Sequence, residues 1–450
     1  MLRLKKDPVR SILFYIISYF FVSFLPQAEA SEVSRFVLKN GLKVVLMEEH
    51  KAPVVTFQIW YRVGSRNETS GKTGLSHLTE HMMFKGTEKH GKGAFSRIVA
   101  KNGGTENAFT GNDYTAYFEN FAADRIDLSL ELEADRMQHL LVDPDEFELE
   151  RSVVMEERRT RTDDDPYAYL IENLYAIAFL VHPYHAPVIG WMSDLQNLVR
   201  DDVFAHYKKY YVPNNATIVV IGDFFTDDLL PKIKAHFEEI PKGPEAPQTV
   251  SPEPEQMGAR RAFIRREAQL PFVFVGYRTP NHAHPDTYAL TVLSSLLSSG
   301  KSARLYRSLV YDQQIALEAG GYYNGLTTDP ELFYLYATAQ PDKDPRLLED
   351  AIDKEIARLQ SEPVTAKELE KAKRQIAAQH ILASDSNFYR AMQIGTAETV
   401  GAGYGYVLDF IDNIQKVSAE DIQRVAETYL IEDRKNIGLL IPKTPEKKNQ

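Results

Sequence analysis

The 450-residue chain contains no cysteine. That absence excludes disulfides, thiolate metal ligands, iron–sulfur ligation and cysteine nucleophiles. It also excludes a lipid-modified amino-terminal cysteine, and it leaves His, Asp and Glu to hold any metal. Excess positive charge is lacking too. Lys and Arg together number 52 against 63 Asp and Glu, for a formal net charge of −11. This balance argues against a general nucleic-acid binder, whose phosphate contacts need clustered Lys and Arg. It is compatible with basic peptide substrates. Beyond the amino-terminal thirty residues, no apolar run approaches the roughly 20 residues needed to span a bilayer.

What is present is ordinary for a globular protein. With 44% hydrophobic and 26% charged residues, the chain can build a large core. At roughly 100–200 residues per domain, its length predicts two domains. The amino terminus has a different character. Arg3, Lys5, Lys6 and Arg10 precede an almost wholly apolar stretch over residues 11–26, and Ala28-Glu29-Ala30 follows. A basic start, a short apolar run and a small-residue cleavage site make up a secretory signal peptide. Residues 1–30 are therefore expected to be removed after Ala30, leaving a periplasmic or secreted protein with no stable membrane insertion.

Hydrophobic periodicity divides the remainder. Residues 35–47 alternate around Asn40-Gly41, a hairpin signal because both turn residues tolerate positive φ. Residues 54–63 read as a strand rich in β-branched and aromatic side chains. A helix is expected over 74–84, a strand pair over 103–122, and helices over 124–141 and 145–161. A strand at 215–222 and a helix at 227–239 complete this half. Five prolines then fall between positions 241 and 256, which predicts a semi-rigid surface linker over 241–258. The pattern restarts with strands at 260–266 and 272–277, helices at 286–299 and 304–311, and a strand at 333–340. Helices at 347–359, 366–384 and 418–429 and a strand at 436–441 follow. Both halves run in similar order at similar length. The expected fold class is α+β, with two similar domains over 31–240 and 259–443 that read as a diverged duplication.

His77-Leu78-Thr79-Glu80-His81 is the segment that carries chemistry. On a helix His77 and His81 are i and i+4, so both imidazoles share a face. That spacing suits two ligands on one Zn²⁺ at about 2.0–2.1 Å. Glu80 lies near the same face without needing a coordination position. Zinc lowers the pKa of a bound water towards roughly 7, and the carboxylate can take its proton as the oxygen attacks a carbonyl. The order inverts the commoner H-E-x-x-H helix. The bland alternative is two surface histidines on an amphipathic helix.

Catalytic zinc usually has three protein ligands and one open position. Without cysteine, the third must be a carboxylate or another His. Glu150, Val153, Val154 and Glu157 share one helical face, and a carboxylate facing inward beside two valines needs a partner. Zinc and its histidines would be one. The charged neighbours Glu148, Arg151, Glu156, Arg158 and Arg159 fit a solvated helix equally well, and spacing alone does not choose between Glu156 and Glu157.

The stretch GLSHLTEHMMFKGT over residues 74–87 resembles the core motif of the M16 (pitrilysin-like) metallopeptidases, and the similarity spans most of residues 33–443. That family includes the mitochondrial processing peptidase, insulin-degrading enzyme and small bacterial peptidases. The resemblance implies two α/β-sandwich domains joined by the linker and enclosing a peptide between them. It implies one Zn²⁺ per chain, His77 and His81 as its ligands, and Glu80 as general base. The family's E-x6-E arrangement implies Glu157 as third ligand, with Glu150 seven residues earlier orienting the site. Asn107-Ala108-Phe109-Thr110 resembles the family's edge strand, where substrate pairs its backbone by β-augmentation. Asn107 and Ala108 are accordingly expected at the substrate. His182-Pro183-Tyr184 and Gly190 also look family-like and are expected to be structural.

One segment departs from the family pattern. Active single-chain members carry an Arg and a Tyr, seven apart, in their second half, and both reach the substrate carbonyl. Here Val310 and Leu317 stand at those positions, and neither side chain can donate a hydrogen bond. Arg304 and Tyr311 have the spacing but lie six residues early. Some bacterial members divide the work between a zinc-bearing subunit and a paired subunit that supplies the Arg–Tyr pair. This chain resembles the zinc-bearing one. The implied function is a zinc endopeptidase acting on peptides or unfolded polypeptides within a heterodimer. Two readings compete: a non-catalytic peptide-binding or scaffold subunit, and a processing peptidase for one dedicated secreted substrate.

Overall fold

The computed structural model describes residues 33–247, 249–341 and 343–443, so the expected signal peptide lies outside the described residues. The first half opens with β1 (Val33–Val37) and β2 (Lys43–Glu48), an antiparallel hairpin that turns at Gly41 with φ 89°. Asn40 fastens this turn by donating to the Phe237 and Ile240 carbonyls at 2.7 and 3.0 Å. After β3 (Val54–Tyr61) come α1 (Leu75–Met82), α2 (Ala94–Lys101) and the hairpin of β4 (Thr105–Thr110) with β5 (Thr115–Ala122). The helices α3 (Ile126–His139), α4 (Pro144–Arg158), α5 (Pro166–Ala178), α6 (Met192–Asn197) and α7 (Arg200–Tyr210) lead to β6 (Ala216–Gly222) and α8 (Thr226–Phe237). The sheet order is β1-β2-β6-β3-β5-β4, with β2–β6 parallel and the other pairs antiparallel.

The second half begins with β7 (Arg260–Arg266), β8 (Phe272–Thr279), α9 (Asp286–Ser298), β9 (Ala316–Tyr322) and β10 (Glu331–Ala339). It continues through α10 (Pro345–Ser361), α11 (Ala366–Ser384), α12 (Asn387–Val400), α13 (Tyr404–Lys416) and α14 (Ala419–Tyr429) to β11 (Lys435–Pro442). Its sheet order is β7-β11-β8-β10-β9, with only β7–β11 parallel. Strand for strand this is the first sheet without β1. The α+β duplication is therefore plain in the topology.

Each sheet is covered on one face by its own helices and on the other by a helix from the opposite half. Helix α5 lies on β7, β8 and β11, burying Leu170, Leu174 and Ala178 with Phe272, Phe274, Leu332 and Leu440. Helix α12 lies on β3 and β6, burying Ala391 and Ile394 with Val45, Trp60, Val219 and Ile221. A strand covered on both faces reads as a continuous apolar run, and β6 (ATIVVIG) is buried at every residue. The ion pairs Arg35–Glu398 at 2.7 Å and Arg390–Glu49 at 2.9 Å flank the α12 layer. Neither α5 nor α12 is among the elements that the apolar pattern predicts. The halves are thus joined by two crossed helices and not by the proline-rich stretch alone. That stretch forms no regular element, yet Glu253 within it accepts the N–H groups of Leu180, Val181 and His182 at 2.7–2.9 Å.

Close approach in the α12 layer requires glycine. A Cβ on Gly395 would lie 2.2 Å from the Trp60 indole. Overpacking of this kind costs about 1–3 kcal/mol. Gly395→Val is expected to lower the thermal midpoint measurably in scanning calorimetry. Gly405→Ala, where a Cβ would meet nothing within 4 Å, is the control and should leave the midpoint unchanged.

Candidate metal centre

Helix α1 starts where two backbones touch. Gly74, just before it, has φ 83°, and Gly190 opposite has φ 85°. A Cβ on Gly74 would come within 2.5 Å of the Ile189 carbonyl oxygen, and one on Gly190 within 2.5 Å of that of Thr73. Left-handed backbone and this contact both call for glycine. Glu68 accepts the N–H groups of Gly74 and Ser76 at 2.7 and 2.6 Å, satisfying donors that a helix amino terminus leaves free; burial pushes its carboxyl up to about 8. Leu75, Leu78 and Met82 are buried in the core. His77, Glu80 and His81 are left half-buried.

Helix α4 is capped by Asp143, which accepts from the Asp145 and Glu146 N–H groups, with Pro144 at its first position. Its far end is anchored by Arg158, bidentate on Glu172 of α5 at 2.8 and 2.9 Å and donating to the Gly190 carbonyl at 2.8 Å. Gly190 therefore ties the start of α1 to the end of α4.

Together the two helices bring one ligand atom each of His77, His81 and Glu157 within 4.8 Å of one another. Glu157 Oε2 lies 3.5 Å from His81 Nε2 and 3.9 Å from His77 Nε2. Ligands about 2.0–2.1 Å from a tetrahedral ion sit about 3.3 Å apart, so the spacing and the donor set fit zinc. Among the described residues this is the single group of three His, Asp or Glu side chains so arranged. His81 Nδ1 is 3.1 Å from Glu150 Oε2, and Lys85 Nζ is 2.5 Å from the other Glu150 oxygen. Arg161 Nη1 lies 2.5 Å from Glu157 Oε1. Glu80 accepts from the Thr110 hydroxyl of β4 at 2.5 Å. Glu156, the alternative to Glu157, is exposed and paired with Arg159.

The electrostatics agree with this arrangement. Burial, with help from the His81 and Arg161 charges, pushes His77 down to about 3. It is neutral at pH 7, the form that binds metal. Burial also lifts the Glu80 carboxyl above its ordinary range, against the pull of the Thr110 hydrogen bond. A raised carboxyl is better matched to accepting a proton from an activated water. Burial raises Glu150 as well, but its bonds to His81 and Lys85 outweigh burial and hold it below the usual carboxylate range.

One expectation fails on this helix. Val153 does not face inward with Val154: it is 47% exposed, whereas Val154 is fully buried. At 3.6 residues per turn, the buried line through Phe147, Glu150, Val154 and Arg158 leaves Val153 at its rim. Strand β4 is the sheet's edge. There Asn107 is exposed and its side-chain oxygen accepts the Ala108 N–H at 2.9 Å. In the second half, Val310 is half-buried against the core and Leu317 is 45% exposed on the edge strand β9. Arg304 is held by Glu368 at 3.1 Å, and Tyr311 is 66% exposed beneath Arg307. His182 and Tyr184 belong to a polar network across the halves. Tyr184 donates to Asp113 at 2.8 Å, and Asp329 is 3.1 Å from His182 and 2.8 Å from the donor Arg66 Nε. Thr110 and Lys85 lie within the quoted motifs but are given no role there, and Arg161 and Glu68 lie outside them. Lys85 and Arg161 each stand four residues after a candidate ligand, a spacing that could have identified them.

Comparison with known proteins bears on the whole chain. The family model described as insulinase (peptidase family M16) matches residues 43–190, and that of the peptidase M16 inactive domain matches residues 197–376. The zinc protease PqqE of Helicobacter pylori is 38% identical over 355 residues, 78% of this chain and 79% of that protein. The crystal structure of a protease from Helicobacter pylori superposes with a TM-score of 0.88 at 34% identity, covering 92% of this chain and 100% of that one. The first half of the periplasmic protease PqqL from Escherichia coli shares the fold, with a TM-score of 0.76 at 18% identity and 93% of each chain covered.

Elemental analysis of purified variants tests the ligand assignment. Glu157→Gln is expected to bring zinc well below one per chain, whereas Glu156→Gln should leave it unchanged. Glu150→Gln should weaken zinc binding about 10–100-fold in chelator competition, the usual effect of losing a partner that orients a ligand.

Proposed function

The chain belongs to peptidase family M16, and we propose that within it the protein is a zinc-dependent endopeptidase acting on peptides or unfolded polypeptides. The observation that carries this reading is the convergence of His77, His81 and Glu157 with Glu80 alongside. Zinc held by His77, His81 and Glu157 would supply Lewis acidity. Glu80 would accept a proton from the attacking water and pass it to the leaving amine, with the Thr110 hydroxyl holding its carboxyl group. His77 presents a neutral imidazole, and Glu150 holds the His81 ring. Edge strand β4 receives the substrate backbone at Asn107 and Ala108, which selects extended chain, because only an extended peptide can add to a sheet edge.

The same proposal includes a paired M16 subunit. Val310 and Leu317 offer no donor to the substrate carbonyl, and a second polypeptide carrying an Arg–Tyr pair would supply it. We further propose that residues 1–30 direct the chain out of the cytoplasm. No helix among the described residues is long and apolar enough to cross a membrane. A non-catalytic peptide-binding role is the second reading, favoured by the inactive-domain match over residues 197–376.

Assay of residues 31–450 with a quenched fluorescent peptide library separates these readings. Zinc-loaded chain alone should cleave weakly. A cognate M16 subunit should raise the rate by about 10²–10³, the scale of one transition-state donor. Glu80→Gln should retain zinc and lose about 10²–10⁴ in kcat. Full activity from the single chain would refute the need for a partner. Zinc binding without Glu80-dependent cleavage, partner included, would favour the peptide-binding role.

A further inference from the structure

Helix α4 does not end in a regular turn. Residues 159–163 form a π turn, closed by the Asp164 N–H on the Arg159 carbonyl at 2.7 Å. Such turns recur at functional sites. This one is held in place on several sides. Arg158 binds Glu172, Gly190 and Asp163, the last at 3.3 Å. The Thr160 hydroxyl donates to the Glu156 and Glu157 carbonyls at 3.1 Å. The result is that Arg161 lies over Glu157, with Nη1 2.5 Å from Oε1.

An i,i+4 ion pair with an exposed arginine is ordinarily of little consequence. This pair differs in what its carboxylate does. Glu157 is only 16% exposed, and its second oxygen, Oε2, faces both His77 and His81. A carboxylate has two oxygens and can chelate through both. A catalytic zinc site needs three protein donors and an open position, which chelation would crowd. The geometry points to Arg161 as the positioning residue that prevents this: by occupying Oε1 it leaves Oε2 alone for the metal. This inference rests on the zinc reading of the site. It adds the element that sets how the third ligand binds, and it explains why the turn that places Arg161 is so firmly anchored.

Cobalt(II) is the probe, because its visible spectrum reports coordination number without turnover. Residues 31–450 as wild type, Arg161→Ala and Arg161→Lys are titrated with cobalt, and affinity is read by chelator competition. Arg159→Ala, which frees only the exposed Glu156, is the control. Arg161→Ala is expected to weaken the visible band, as added coordination does, and to leave cobalt affinity no lower than that of wild type. With the paired subunit present, kcat should fall while KM holds. Arg161→Lys should restore much of the spectrum, since an ammonium can still claim one oxygen. Arg161 is 75% exposed, so the variants are expected to fold, and circular dichroism checks this. A spectrum and affinity of Arg161→Ala identical to wild type would overturn the inference. So would a raised KM with an unchanged spectrum, which would assign Arg161 to substrate. Wild type that takes up no cobalt would overturn the metal reading itself and this inference with it.

Discussion

The site depends on one contact, the meeting of the Gly74 and Gly190 backbones. It fixes where α1 begins, and so which way His77, Glu80 and His81 point. Through the Gly190 carbonyl it also engages Arg158, and so the end of α4 that carries Glu157. Both ligand-bearing helices therefore take their position from the same peptide. Ligand atoms must agree within a few tenths of an ångström, and a shared backbone reference achieves this better than two helices registered separately on the sheet. Glu68 adds to it, because a carboxyl group holding the first N–H groups of α1 resists rotation of the helix about its axis.

Much of this was legible in the sequence, for a physical reason. Residues that must satisfy a metal are constrained in identity and spacing, so His77, Glu80 and His81 stand out from one short segment. Strands that are covered on both faces stand out as apolar runs. Both helices that join the halves were missed: α5 was overlooked despite its Asp165 cap and its Leu170, Leu174 and Ala178 stripe, whereas α12 was not legible. Helix α12 makes its contact through Ala391, Ile394 and Gly395 and through buried Glu398 paired with Arg35. Small and charged residues leave no apolar stripe to count. Val153 was misread because a spacing of three to four residues marks a sector of a helix, and the rim of that sector is not its buried centre. The choice between Glu156 and Glu157 needed either the family pattern or the packing of α4 against α1, since neighbouring residues on one helix are both plausible until a partner is placed.

The second half shows the same architecture without the donor set. Its sheet repeats the first in order and direction. Helix α9 follows β8 as α1 follows β3, and a cavity of about 640 Å³ is lined by Thr291, Ser294 and Ser295 of α9 with His380 of α11. The side chains of α9 in that lining are hydroxyls. Layer packing constrains the buried face of such a helix, and nothing in that packing demands metal ligands on the other face. The second half thus repeats the sheet architecture without a comparable donor group among the described residues, which accords with the inactive-domain match over that region.

The crossed helices bear on how a substrate could be enclosed. Resemblance alone implied a peptide held between the two halves of the chain. Yet each half buries a helix of the other in an apolar layer, and the Asp113, Asp329, Arg66, His182 and Tyr184 network adds polar ties between them. Parting the halves would expose both layers at about 25 cal/mol for each Å² of apolar surface, and would strand buried charges as well. The two halves therefore behave as one body. On the proposed reading, the wall that closes α1 and the β4 edge off from bulk water would come from the paired subunit. Val310 and Leu317 motivate the same proposal, because neither side chain can donate a hydrogen bond.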